Sequence, residues 1–138
     1  MLLTLPDVLA VAGCVVGCDS ETIVDRTDLG AVEVTLVEAK AASASGDQAD
    51  VAAALLTGLV CRRPFQGPNR RVAVAVTLHL FALNNRDLNL EPVTEIDQLL
   101  ARVAAGAPLS QTAVDLRLRL RQRGKEPAPA STTFKRLP

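Results

Sequence analysis

Apolar positions recur at helical spacing along most of this chain. Leu5, Val8, Leu9, Ala12, Val15 and Val16 mark a first helix that ends near Gly17. Thr4 stands as its N-cap, and Asp7 three residues later completes an approximate capping box. Residues 19–27 read as a polar connection. Asp28 then caps a second helix with Leu29, Val32, Leu36 and Ala39 on one face. Ser43 to Asp47 is a loop by composition, and Asp47 caps a helix over roughly 49–60. The Ala52-Ala53-Ala54 run in that helix permits close approach of a neighbour. From Val72 onward the chain is apolar nearly all the way round, which predicts a helix in the middle of a bundle, stopped by Asn84-Asn85.

The remainder continues the pattern. Thr94 with Asp97 caps a helix striped by Ile96, Leu99, Leu100 and Val103, and Gly106 ends it. Residues 109–121 fit two periods. Val114, Leu116, Leu118 and Leu120 alternate with charged residues, as in a strand, while Leu109, Ala113, Leu116 and Leu120 fit a helix that Ser110 caps and Gly124 ends. A lone strand has no evident partner in a helical chain, so the segment reads as helix. The expected fold class is all-α, a compact bundle of about six helices around a buried central helix. It forms one domain over 1–123, followed by a flexible, proline-containing tail over 124–138.

Composition narrows the function classes. Apolar residues make up 49% of the chain, which is globular and not disordered. Fifteen basic and fifteen acidic residues cancel, and the aromatics are three Phe, so a nucleic-acid partner is disfavoured. Three cysteines, an odd number, argue for a reducing, cytoplasmic setting and against a disulfide scaffold. No apolar run reaches membrane-spanning length, so no membrane partner is expected. Cys14 and Cys18 share a helix face at ligand spacing, but they read as two partly buried thiols. Histidine occurs once, at His79, which reads as structural or surface, and no metal site is assigned.

One stretch departs from this uniform background. Arg63-Pro64-Phe65-Gln66-Gly67-Pro68-Asn69-Arg70-Arg71 sets Gly, Pro, Asn and arginines just before the apolar helix, with Arg62 adjoining. Helix N-termini carry free N–H groups and partial positive charge, so a phosphate or other anion is the ligand such a loop would take. The stretch resembles the Fic/Doc signature, His-Pro-Phe-x-(Asp/Glu)-(Gly/Ala)-Asn-(Lys/Arg)-Arg-x-Ala. Pro64, Phe65, Asn69, Arg70, Arg71 and Ala73 match. Ala52 to Leu56 before it and Leu83-Asn84-Asn85 with Leu88 after it resemble the family's flanks. Asp25-Arg26-Thr27-Asp28 and the residues following are loosely similar to a segment that packs near the family's active site. The small size looks more like the Doc (death-on-curing) toxins than the larger Fic enzymes.

The resemblance carries expectations. It implies a helical Fic/Doc fold, a nucleotide such as ATP with Mg²⁺, a protein hydroxyl as target, and a small antitoxin that docks a helix. It assigns phosphate binding to the loop around Gly67 and to Asn69, Arg70 and Arg71, with Arg62 beside them, and turns Phe65 into the core. Two positions depart from the family. Arg63 stands where the catalytic His belongs, and Gly67 where the metal-binding acid belongs. Arginine stays protonated near neutral pH and is inactive as a base, and glycine offers Mg²⁺ no oxygen. Three readings stay open: a degenerate, non-catalytic nucleotide- or partner-binding relative; an active Doc-like toxin transferring phosphoryl or adenylyl groups; or an enzyme repurposed for a phosphorylated or carboxylated small molecule.

Overall fold

The computed structural model describes residues 1–122, and the expected tail over 124–138 lies outside the described residues. Seven helices and one two-stranded ribbon make up this part: α1 Leu5–Val16, α2 Ser20–Asp25, α3 Leu29–Ser45, α4 Gln48–Arg62, α5 Asn69–Leu83, β1 Arg86–Leu88, α6 Val93–Ala104, α7 Leu109–Arg117 and β2 Leu120–Gln122. The architecture is all-α apart from the ribbon. No helix among the described residues is long and apolar enough to cross a membrane.

Local chemistry sets several boundaries. The Thr4 N–H donates to Asp7 Oδ2 at 2.9 Å and the Asp7 N–H to Thr4 Oγ1 at 3.4 Å, the reciprocal box that the sequence indicates. Gly17 ends α1 in the left-handed region at φ 82°. Asp28 accepts from the Ala31 N–H at 3.1 Å and starts α3. Asp47 and Asp50 form a second reciprocal box at the head of α4.

Some expectations need correction. Residues 19–27 are not merely a connection, because Asp19 accepts from the Thr22 N–H at 2.8 Å and Ile23 is buried, which together support the short α2. The loop expected at Ser43–Asp47 shrinks, since α3 runs on through Ser45. Thr94 does not cap α6. That helix starts after Pro92 with no side-chain cap, and Ser110 likewise lies inside α7, whose cap position is Pro108. Cys14 is exposed instead of partly buried, while Cys18 is half-buried as expected.

The central helix is α4, where the sequence pointed to α5. It packs against α3, α5, α6 and α7, and its residues from Val51 to Leu56 are all buried. Its small Ala52, Ala53, Ala54 and Gly58 let neighbours approach from several sides. The α5 helix buries Val72, Ala73, Val76, Thr77, Leu80 and Phe81 against α4 and α1, but leaves Ala75, Leu78 and His79 half-buried. An apolar circumference thus marked two helices, and side-chain size decided which one is enclosed.

The helix reading of 109–121 holds through Arg117, and the strand reading holds only for Leu120 and Arg121. Through Arg117 the segment is helix, burying Thr112, Ala113 and Leu116. Its end then turns into β2, which pairs antiparallel with β1 in the register Arg86↔Gln122, Asp87↔Arg121, Leu88↔Leu120. The alternating residues 86–90, Arg-Asp-Leu-Asn-Leu, hold the partner that sequence reading did not find.

Candidate functional site: an arginine-lined cleft

The chain reverses direction between α4 and α5 through a loop that its own residues close. Arg63 leaves α4 in the left-handed conformation (φ 49°, ψ 56°), an uncommon backbone for a non-glycine residue. That turn buries Pro64 and Phe65. Phe65, 3% exposed, sits in the core as expected. The loop backbone is tied to the turn between α2 and α3. The Asp28 N–H donates to the Pro64 carbonyl at 2.8 Å, and the Gln66 N–H donates to the Arg26 carbonyl at 3.3 Å. Thr27 and Phe65 form an isolated antiparallel bridge. Asp28 therefore caps α3 with its side chain and anchors the loop with its backbone.

Asn69 closes the loop from inside. Its Oδ1 accepts from the Phe65 N–H at 2.9 Å, and its Nδ2 donates to the carbonyls of Phe65 at 2.6 Å and Gly67 at 3.3 Å. Both Nδ2 hydrogens are thereby placed, and the residue is buried. The carboxamide shapes the loop and is already occupied there. Gly67 lies at φ 114°, a backbone that side-chain-bearing residues rarely adopt, with no atom within 4 Å of where a Cβ would stand.

Three of the expected arginines come together, and one does not. Arg63, Arg70 and Arg71 line a cleft of about 550 Å³ with Val60, Cys61, Gly67, Pro68, Asn69 and Ala104. All three are exposed, and among the described residues none of them makes an ion pair. The first turn of α5 opens beside them with no side-chain cap, so its orphan N–H groups add to the positive potential. Among the described residues no carboxylate or imidazole lines this cleft. Cys61 Sγ donates to the Val103 carbonyl at 3.4 Å, which docks the thiol on α6.

Arg62 takes a different direction. Its two terminal nitrogens donate to both Glu38 oxygens at 2.8 and 2.9 Å, and one of them also reaches Thr35 Oγ1 at 3.0 Å. The bidentate bond holds the Glu38 carboxyl below its ordinary range and raises the Arg62 guanidinium above its own. This residue braces α3 against α4 and is absent from the cleft lining. Gly58 makes the brace possible, since a Cβ there would stand 2.4 Å from Thr35 and 2.9 Å from Arg62 Nη1.

Chemically, the cleft can bind and orient an anion. It presents guanidiniums and helix N–H groups and, among the described residues, no carboxylate or imidazole to accept a proton near neutral pH. Among the described residues no three His, Cys, Asp or Glu side chains gather as a metal-binding group. His79 lies further along α5, half-buried in a separate cleft, and does not join the arginines. The sequence missed that Arg62 and Arg63 part company. The signal would have been the left-handed turn at Arg63, which no glycine or asparagine announces. No protein-family model matches the chain, and a comparison with curated proteins finds no match.

Proposed function

We propose that this protein is a non-catalytic, anion-binding relative of the Doc-like toxins, which takes the phosphates of a nucleotide, or an acidic group of a partner protein, at the head of α5. The observation that carries the reading is the grouping of Arg63, Arg70 and Arg71 around an uncapped helix N-terminus, with no acid among the described residues of the cleft to neutralise them. The likeness of residues 63–73 to the Fic/Doc signature supports the choice of nucleotide phosphates. The anchoring of the loop on the Arg26–Asp28 turn agrees with it, since the similar family segment packs near the active site. Arginine in place of the motif histidine and glycine in place of the acid support binding without transfer.

Calorimetric titration with ATP, ADP and AMP, with and without Mg²⁺, tests this. Binding without Mg²⁺ that weakens about tenfold or more in Arg71→Ala is the expected result. Binding that requires Mg²⁺ would favour an active transferase. No binding of any nucleotide would overturn the nucleotide reading and leave an acidic protein partner or a small-molecule anion.

A further inference from the structure

A second cleft, of about 790 Å³, lies between α1, the later part of α5 and the β1–β2 ribbon, and shares no lining residue with the arginine cleft. Its volume is in the range of small-molecule sites. Apolar surface forms most of the wall, from Val11, Ala75, Leu78 and Leu88. The polar groups are few, and of the two lining guanidiniums Arg86 stands opposite Gln122 in the ribbon and not opposite an acid. Arg86 Nε is buried without a hydrogen-bond partner, and among the described residues Arg86 makes no ion pair. A buried donor left unpaired is costly, and because Arg86 is only half-buried and lines the cleft, an anion there would meet the charge of its guanidinium.

Two acids also line the cleft, and neither stands opposite Arg86 in the ribbon. Asp7 Oδ2 accepts from both the Thr4 N–H and the Thr4 hydroxyl at 2.9 Å, so that oxygen is committed to capping α1. Asp87 stands opposite Arg121 in the ribbon register, an opposite-charge cross-strand position. His79 adds an imidazole to the wall. An apolar wall with one unmatched guanidinium suits a single negative charge on an apolar body. A polyphosphate would need several more donors than the cleft provides.

We infer that this cleft binds a small amphipathic carboxylate, with Arg86 holding the carboxylate and the apolar body lying along Val11, Ala75, Leu78 and Leu88. Sodium octanoate, 1-octanol and inorganic phosphate are the probes, titrated into the full chain by calorimetry and followed by amide shifts in ¹⁵N-labelled protein. Octanoate is expected to bind with shifts centred on α1, the later part of α5 and β1. Octanol, with the same tail and no charge, is expected to bind at least about tenfold more weakly, and phosphate alone not at all. Arg86→Gln brings octanoate down to the level of octanol, and Arg86→Lys recovers part of the difference. Ala75→Leu, which fills the wall and leaves every charge in place, weakens both probes that carry a tail.

Equal binding of octanoate and octanol to the unmodified protein would overturn the inference. So would shifts centred on α2 and away from the ribbon, or no binding at about 1 mM probe. The unmodified protein decides these outcomes even if a variant fails to fold. For variants that fold, a thermal midpoint within about 4 °C of the parent's confirms that lost binding is local.

Discussion

The carboxamide of Asn69 brackets the backbone of Phe65, accepting from its N–H at 2.9 Å and donating to its carbonyl at 2.6 Å. One side chain thus satisfies both polar groups of a buried residue that belongs to no helix or sheet ladder. The same side chain reaches Gly67, so the shape of the loop and the aim of the arginines around it depend on one amide. Asn69→Ala should therefore destabilise the protein by about 2–4 kcal/mol, since it leaves buried backbone groups without partners. Urea denaturation measures the loss. Nucleotide binding should fall with it under conditions where the variant is still folded.

Arg62 and Arg63 are neighbours in sequence but should give opposite phenotypes. Arg62→Ala removes the brace to Glu38, whose side chain is half exposed, so solvent discounts the ion pair to about 1 kcal/mol of stability. Anion binding should stay within about twofold of the parent, which is small on the affinity scale. Arg63→Ala should leave stability nearly unchanged and weaken anion binding several-fold. Parallel thermal melts and calorimetric titrations separate the two, and equal binding losses would refute the division of roles.

Gly67→Ala isolates a backbone effect. No atom lies within 4 Å of the added Cβ, so sterics from neighbours do not contribute. The φ of 114° remains, and holding alanine there should cost about 1–3 kcal/mol. An unchanged denaturation midpoint would show that the loop adjusts its dihedrals freely.

Gly58→Ala tests the α3–α4 contact. The new methyl would stand 2.4 Å from Thr35 and 2.9 Å from Arg62 Nη1, inside any tolerated separation. The two helices must move apart or Arg62 must leave Glu38. A loss of about 1–3 kcal/mol is expected from overpacking, read as a lower denaturant midpoint. Thr35→Ser in the same background should recover part of it by removing the Thr35 methyl, one of the three clashing atoms.

Acid should weaken the join between the end of α7 and the head of α4. Arg117 donates to Asp47 Oδ2 at 2.9 Å and Oδ1 at 3.0 Å, and these bonds hold the Asp47 carboxyl far below its ordinary value of 3.8. A carboxylate with a depressed folded-state pKa contributes stability above its unfolded value. That contribution fades as pH falls below about 3.8 toward the folded value. The thermal midpoint should drop over this acid range. In Arg117→Gln the drop should be shallower, because less of the acid-labile stabilisation is there to lose. Parallel slopes in the two proteins would show that other carboxylates dominate the acid limb.

The sequence by itself determined the helical class and the starts of α1, α3 and α4. These depend on short-range rules: a capping side chain reaches only three residues, and an apolar stripe repeats every turn. Thr4 with Asp7, Asp28 and Asp47 could therefore be read directly. Tertiary structure decided the rest. The small residues of α4 let four helices close around it, although α5 is just as apolar. The β1–β2 ribbon joins strands more than thirty residues apart, a distance no local pattern spans. The arginine cleft exists because Arg63 turns left-handed, which sends it to Arg70 and Arg71 while Arg62 stays with Glu38. A guanidinium's partner is set by where the chain turns, and that turn is fixed by Asn69 from within the loop and by the Arg26–Asp28 backbone, which is distant in sequence.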